Sequence, residues 1–292
     1  MNPHKEFAQR VKNIQVLHPQ MESIFKIMDS HMKRPGKTRH LFVTGSSNIG
    51  KTKLAEIYLK KYPEYVITEP DETEITVKHV IYMETPHPFT LMEFYHELLD
   101  ALGSPRLKGV PKINDLKTRA YYLMKRQEVK MVIIDEVNNI LTSGFNASKA
   151  MDTIKQMANK TKVTLVLMGT PEAIKLRELD DQYKSRYRPK SLNRFEKCDD
   201  EFCRLLEEIE TYLAPPQRIG LGDLNLKYPQ LLHLFCKGKL GFLIPIIQEA
   251  YDILGLFNEE CNDISNLRLS PKVIKEAFEI IQGDKFDDNL TF

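Results

Sequence analysis

The chain has 292 residues, a formal net charge of +2 at pH 7 and 42% hydrophobic residues. This length allows one large domain or a domain with a smaller partner, and the near-neutral charge gives no global sign of a nucleic-acid or membrane partner. The four cysteines form no Cys-x-x-Cys pair, and no apolar run approaches 18 residues. We therefore expect a cytoplasmic protein with neither an export signal nor a membrane span.

The N-terminal part predicts one amphipathic helix followed by a strand. From Pro19 to Met32 apolar residues recur at helical spacing, and Arg34-Pro35-Gly36 end the pattern. An apolar, β-prone run then covers residues 40–44. This strand leads directly into the most informative motif of the sequence.

That motif matches the phosphate-binding pattern G-x-x-x-x-G-K-[ST] without a break and lies between a predicted strand and a predicted helix, the context that it requires. Its glycines allow the tight turn that directs backbone N–H groups and a helix N-terminus at phosphates. The lysine is expected to bind the β- and γ-phosphates of ATP, and the threonine hydroxyl to ligate Mg²⁺. An accidental Gly/Ser turn is the alternative. The motif consists of Gly45, Ser46, Ser47, Asn48, Ile49, Gly50, Lys51 and Thr52.

The segment before the first helix offers a second contact with the nucleotide. In phosphate-loop folds with a leading helix, this segment often borders the adenine. Plain packing explains the same residues at least as well. The candidates are Ile14, Val16 and His18.

The next part of the chain predicts a solvated loop, a strand and a helix. Residues 69–74 are polar and acidic, residues 77–83 are typical of a buried strand, and residues 91–102 carry an apolar stripe at helical spacing. A Gly/Pro-rich loop follows that carries no acidic residue and three basic ones, Arg106, Lys108 and Lys112. Flexible cations suit contact with DNA phosphates, although a single charge run is usually only solvated.

A second motif follows at residues 131–136, Met-Val-Ile-Ile-Asp-Glu. Four apolar residues that end in two carboxylates predict a central parallel strand, with the acids at the edge where doubly wound sheets bind ligands. We expect Asp135 to hold Mg²⁺ and Glu136 to orient and deprotonate the attacking water. Such a strand is common by chance, but the upstream phosphate loop strengthens the interpretation.

A third apolar run, residues 163–168, ends before Gly169 and Thr170. Thr170 is a candidate sensor of the γ-phosphate or of the lytic water, and an N-cap role before Pro171 is compatible with it. The arginine-rich segment Ser185-Arg186-Tyr187-Arg188-Pro189 comes next. An arginine in this place, such as Arg186, can reach a neighbouring subunit's γ-phosphate, although a surface arginine without a partner is the more common case.

From residue 198 onward the sequence predicts helices only. One apolar helix ends at Pro215-Pro216, two further apolar helices follow, and Ser270-Pro271 opens the last one. A helical subdomain of this kind can close over a nucleotide as a lid. The acidic tail from Gly283 to Phe292 is either disordered or a short docking peptide.

Four segments taken in order, GSSNIGKT, MVIIDE, VLMGTPEA and SRYRP, resemble an AAA+ ATPase, and more narrowly the TniB/TnsC group of transposition regulators. The resemblance implies an α/β AAA+ P-loop core with a parallel sheet over residues 1–197, and a helical lid with a short tail over residues 198–292. It also implies ATP and Mg²⁺ as cofactors, Lys51 and Thr52 at phosphate and metal, and Thr170 as first sensor. Asp135 and Glu136 are then the acidic pair and Arg186 the trans arginine.

The resemblance further implies assembly on double-stranded DNA as an ATP-bound ring or helical filament that recruits and activates a DDE transposase at a target marked by a selection protein. The family's DNA-contacting loop coincides with Arg106, Lys108 and Lys112, and Thr90 is a weaker candidate. Two departures stand out. Phe242 replaces a lid arginine, for which Lys239 is a possible substitute, and Val137-Asn138-Asn139 follows the acidic pair.

Three functions fit these patterns. The first is a regulatory, slowly hydrolysing ATPase that assembles on DNA. The second is a helicase loader or initiator-type AAA+ ATPase, which a preference for single-stranded DNA would favour. The third is a small-molecule kinase, which leaves Thr170, Arg186 and the helical lid unexplained.

Overall fold

The computed structural model describes residues 3–14, 16–34, 40–105, 111–258 and 264–283. These residues form two compact units. The α/β unit is Pro19–Asn193, and the helical unit combines the described residues of Met1–His18 and Arg194–Phe292. In chain order the elements are α1 Pro3–Lys12, α2 Pro19–Met32, β1 His40–Thr44, α3 Lys51–Lys61, β2 Tyr65–Thr68, β3 Glu74–Val77, β4 Val80–Glu84, α4 Leu91–Ala101, α5 Ile113–Arg126, β5 Met131–Asp135, α6 Asn139–Thr142, α7 Ala147–Thr161, β6 Thr164–Gly169, a 3₁₀ turn Pro171–Ala173, α8 Ile174–Glu178, α9 Asp181–Arg186, β7 Tyr187–Ser191, α10 Asp200–Leu213, α11 Tyr228–Cys236, α12 Leu240–Ile253 and α13 Pro271–Gln282.

The α/β unit is built on a five-stranded parallel sheet in the order β4-β5-β6-β1-β7. Every residue of β1, β5 and β6 is buried, because these central strands are covered on both faces and consist mainly of apolar residues. Alternate side chains serve the two faces. In β1, Leu41 and Val43 pack in the core formed with α2 and α3, whereas Phe42 packs in the core formed with α4, α5 and α7.

The parallel arrangement brings the ends of three adjacent strands to one edge of the sheet. β1 leads into the predicted phosphate loop, β5 ends at Asp135, and β6 leads to Thr170. In sheets of this type ligands bind at the carboxyl edge. The predicted α/β fold with a parallel-sheet core is therefore confirmed, and its sheet order sets up the site described below.

Two features of the α/β unit differ from the sequence-based expectation. The stretch 77–83 is not one strand, since β3 ends at Val77 and β4 starts at Val80. β3 pairs antiparallel with β2, so residues 69–73 of the acidic stretch form the turn of a hairpin and Glu74 begins β3. In addition, the arginine-rich segment is divided between two elements, since Ser185 and Arg186 end α9 and Tyr187 begins the edge strand β7. This strand tolerates Pro189 because an edge strand need not donate every ladder hydrogen bond.

The helical unit has its own core, formed by α1 and α10–α13. The predicted apolar stripe of α10 is buried there, and Ser270 caps α13 by accepting the Val273 N–H at 3.4 Å. Among the described residues no single helix has the length and hydropathy of a membrane span. The sharply bent pair α11 and α12 meets these criteria only when the two helices are taken together.

The N-terminal segment packs in the helical unit, whereas the predicted division placed it with the nucleotide-binding core. Phe7 and Val11 of α1 are fully buried in the helical core. Burial of each side chain stabilises the unit by about 1.5–3 kcal/mol, which explains this placement. The three candidates before α2 behave similarly, since Ile14 is buried in the same core, Val16 packs against it, and the His18 ring lies 4.5 Å from the Phe195 ring.

Candidate nucleotide-binding site

The predicted phosphate loop is a tight turn between β1 and α3. Gly50 has φ +105°, and Asn48 also adopts a left-handed conformation with φ +62°. A Cβ at Gly45 would lie 2.7 Å from the Leu192 carbonyl oxygen, so only glycine fits there. Ile49 is 1% exposed and packs in the core beneath the loop. The apolar anchor and the two glycines therefore fix the loop at the carboxyl end of β1.

Lys51 is the first residue of α3, and its side chain is buried against the phosphate loop. Its Nζ donates to the carbonyl oxygens of Gly45 at 2.9 Å and Ser46 at 3.2 Å. A lysine ammonium is strongly hydrated, so its burial requires such acceptors. The contacts keep the cation on the loop that the sequence predicts to bind phosphates.

Thr52 and Asp135, which are 83 residues apart in sequence, meet at the carboxyl edge of the sheet. The Thr52 hydroxyl donates to Oδ2 of Asp135 at 2.8 Å, and the N–H of Glu136 donates to Oδ1 at 2.8 Å. Burial raises the pKa of the Asp135 carboxyl, while these two hydrogen bonds and the Lys51 charge favour its ionised form. A hydroxyl and a carboxylate are the oxygen donors that Mg²⁺ prefers, so the pair fits the predicted metal.

The next residue, Glu136, is half-buried and has φ +51°. Its Oε2 accepts a hydrogen bond from Nδ2 of Asn138 at 3.1 Å. Oδ1 of Asn138 in turn accepts the backbone N–H of Thr170 at 3.0 Å. The structure thus brings the acidic pair and the predicted sensor together through a residue between them.

Thr170 occupies the cap position before the 3₁₀ turn at Pro171, but its side chain makes no capping hydrogen bond. The pKa of the Glu172 carboxyl is lowered by its own backbone N–H and by the Thr170 hydroxyl. The structure therefore places Thr170 at the predicted edge position, with its hydroxyl directed at an exposed carboxylate.

Arg186 does not join this group. β7 runs parallel to β1 with Tyr187 opposite His40 and Ser191 opposite Thr44, so Arg186 lies at the amino end of the sheet. At about 3.3 Å per residue, the four steps of β7 put more than about 13 Å between Arg186 and the level of the phosphate loop. Its guanidinium donates to Oδ1 of Asn159 at 3.0 Å. This arginine is therefore too far from the phosphate loop of its own chain to contact a nucleotide there.

Only one of the predicted DNA-contacting cations can be placed, because Arg106 and Lys108 lie outside the described residues. Lys112 is exposed and occupies the cap position before α5, where its backbone N–H donates to Oδ2 of Asp115 at 3.2 Å. The weaker candidate Thr90 caps α4 by accepting the Glu93 N–H at 3.1 Å.

Phe242, which replaces the family's lid arginine, lies close to its candidate substitute Lys239. Lys239 immediately precedes α12, and its Nζ lies 5.8 Å from the centroid of the Phe242 ring. Gly238 has φ +70°, and a Cβ there would overlap the Phe195 carbonyl oxygen. The glycine thus allows the backbone before α12 to approach the backbone of Phe195 closely, which fixes the position of Lys239 at the start of α12.

For two side chains at the sheet edge the sequence predicted no role. Tyr82 in β4 donates from its hydroxyl to Oε1 of Glu84 at 3.1 Å and to Oδ2 of Asp135 at 3.4 Å. Asn138 forms the bridge to Thr170 described above. Tyr82 could have been found only by placing β4 beside β5, whereas an amide just after the acidic pair was a visible signal.

Comparison with known proteins identifies the family of this chain. The sequence profile described as "Bacterial TniB protein" matches residues 8–197, which is more than half of the chain. The chain belongs to the TniB family. No match is found among curated protein sequences.

Solved structures give the fold of this TniB-family chain. The Aeropyrum pernix ORC2 protein, in ADPNP–ADP complexes, matches with a TM-score of 0.60 and 18% identity over 92% of this chain and 71% of that one. The Aeropyrum pernix ORC1 protein in complex with DNA gives 0.61 and 14% over 91% and 66%. Domain III of the Thermotoga maritima replication initiation protein DnaA gives 0.52 and 17% over 96% and 98%. The TniB-family chain therefore has an AAA+ ATPase fold with a helical C-terminal region.

Proposed function

We propose that this protein is an ATP-dependent regulator of DNA transposition, which assembles on target duplex DNA and recruits and activates a DDE transposase. The observation that carries the proposal is the convergence of Lys51, Thr52, Asp135, Glu136 and Thr170 at one sheet edge in a TniB-family chain. A target-selection protein is the expected partner that marks the site of assembly.

Each residue at this edge has a separate role in ATP hydrolysis. The Lys51 ammonium group binds the β- and γ-phosphates, which replace the carbonyl oxygens of Gly45 and Ser46 as its hydrogen-bond acceptors. Thr52 and Asp135 would hold Mg²⁺, which when bound neutralises charge on the phosphates. Glu136 orients and deprotonates the attacking water, and Thr170 responds to the γ-phosphate. Slow, regulated turnover is expected because Phe242 occupies the position of the family's lid arginine.

Arg186 gives the proposal its oligomeric part. It lies at the amino end of the sheet, remote from the phosphate loop of its own chain. An arginine there can stabilise transition-state charge only at the site of another subunit. A contact between two different surfaces of identical chains builds a ring when it closes and a helical filament when it does not. This supports a homo-oligomer in which ATP lies between subunits.

Contact with duplex DNA is assigned to the loop that ends at Lys112 and includes Arg106 and Lys108. The exposed Lys112 supports this assignment. Cations of this kind contact phosphates and give affinity without base specificity, which suits a protein that must spread along many sequences.

A helicase loader or initiator-type ATPase remains the second candidate, because the similar structures include ORC and DnaA proteins. Fluorescence anisotropy with a labelled duplex and a labelled single strand distinguishes the two. We expect duplex binding that tightens at least tenfold with a non-hydrolysable ATP analogue, and no such effect in Lys51→Ala. Preferential binding to the single strand would favour the loader, and nucleotide-independent binding would contradict the proposal.

A further inference from the structure

A chain of hydrogen bonds joins the Glu136 carboxylate to the end of β6 through Asn138. Nδ2 of Asn138 donates to Oε2 of Glu136 at 3.1 Å, and Oδ1 accepts the Thr170 N–H at 3.0 Å. A backbone N–H can only donate and an ionised carboxylate can only accept, so the two partners fix the orientation of the amide. Aspartate would lose the donor, and alanine would lose both groups.

The backbone around this bridge is arranged to hold it. Glu136 has φ +51°, a left-handed conformation that is unfavourable for a non-glycine residue and turns the chain away from β5. The N–H of Val137 donates to the Met168 carbonyl at 3.0 Å, which fastens the turn to β6. A Cβ at Gly169 would lie 2.9 Å from Oδ1 of Asn138. The glycine therefore leaves the space that the amide occupies.

We propose that Asn138 is a positioning residue for ATP hydrolysis, which orients the Glu136 carboxylate and couples it to Thr170. This rests on the proposed function, in which Glu136 activates water and Thr170 responds to the γ-phosphate. A displacement of Thr170 is passed to Glu136 because both bonds are made by one rigid amide. Among the described residues, the other hydrogen bond of the Asn138 side chain runs to Oδ1 of Asn139 at 3.4 Å and not to the phosphate loop, so loss of the amide should leave ATP affinity nearly unchanged.

Single-turnover ATP hydrolysis, measured with excess protein and duplex DNA, tests the proposal alongside the affinity for a fluorescent ATP analogue. Asn138→Ala should hydrolyse ATP roughly 10- to 100-fold more slowly, as expected for a lost hydrogen bond to a charged group, with affinity within about twofold of wild type. Asn138→Asp keeps the acceptor for Thr170 and places a second carboxylate against Glu136. It should be at least as slow, and it provides the test if the alanine variant does not fold.

A double-mutant cycle separates positioning from a general structural role. If Asn138 acts through Glu136, then Glu136→Gln combined with Asn138→Ala is no slower than Glu136→Gln alone. Equal slowing by Asn138→Ala in both backgrounds would overturn the proposal, as would a wild-type rate in both Asn138 variants. Asn139→Ala is the matched control, because it removes the bond to the Thr85 carbonyl at 2.9 Å and the long 3.4 Å contact with Asn138 but leaves both bonds of the bridge in place. It should keep the wild-type rate.

The same measurements distinguish a failure of this inference from a failure of the proposed function. Wild-type protein without turnover, or a wild-type rate in Glu136→Gln, would remove the proposed role of Glu136 and the inference with it. A slow Glu136→Gln together with fast Asn138 variants would remove only the inference.

Discussion

Acidification should weaken the α/β unit through His40, the first residue of β1. The imidazole is 4% exposed, and its Nδ1 accepts the Leu165 N–H at 3.0 Å, which requires the unprotonated nitrogen. Its ring also lies 5.1 Å from the Tyr187 ring. Burial, followed by the nearby charges of Arg186 and His31, lowers the pKa of His40 from 6.5 to about 4. The folded chain therefore resists protonation at a position where the unfolded chain accepts it.

The magnitude follows from the two pKa values. Because the folded-state pKa lies below the unfolded one, the contribution of His40 to stability is complete above pH 6.5 and is lost as the pH falls toward about 4. At pH 5 the loss amounts to about 2 kcal/mol. This is a sizeable part of the stability of an ordinary domain.

Urea unfolding at pH 7.5 and pH 5.0, followed by circular dichroism, measures this loss. The matched variant is His40→Asn, which places an acceptor oxygen near the Leu165 N–H but cannot be protonated in this range. Between the two pH values the wild type should lose about 2 kcal/mol more than the variant. An equal loss in both proteins would refute the assignment of a neutral, buried His40.

Three further predictions concern the proposed ATPase. Glu136→Gln should bind ATP and keep the protein assembled on DNA, because the water-activating carboxylate is gone, and normal turnover would exclude that role. Arg186→Ala should bind ATP with wild-type affinity but hydrolyse it at least tenfold more slowly, since only transition-state charge loses its partner. Alanine at Arg106, Lys108 and Lys112 together should weaken duplex binding and flatten its dependence on salt concentration, and an unchanged slope would clear this loop of phosphate contact.

Mixing two variants tests whether Arg186 acts on a neighbouring subunit. If the arginine acts on a neighbouring subunit, then mixing Arg186→Ala with Lys51→Ala protein creates some interfaces with both groups intact. The mixture should hydrolyse ATP faster than either variant. A mixture as inactive as its components would contradict action in trans.

The nucleotide-binding edge could be predicted from the sequence because its elements are local patterns with a common geometry. The phosphate loop requires a strand before it and a helix after it, and the acidic pair requires a buried strand before it. The apolar runs and the helical spacing in the sequence show all three elements. Since carboxyl ends of parallel strands share one edge, the contact between Thr52 and Asp135 followed from these patterns.

Features that depend on packing between distant segments were not predictable. The mixed composition before Pro19 gave no sign that Phe7 and Val11 complete the core of the C-terminal helices. β7 contains Pro189 and exposed cations, a composition that argues against a strand unless its edge position is known. Asn138 was visible as an unusual residue, but its role depends on β6 lying beside β5.

Electron microscopy of the purified protein with duplex DNA, with and without a non-hydrolysable ATP analogue, shows whether ATP switches assembly on DNA. Rings or helical filaments should form on the DNA only when duplex and nucleotide are both present, and none should form with Lys51→Ala. Dispersed particles under every condition would contradict ATP-switched assembly.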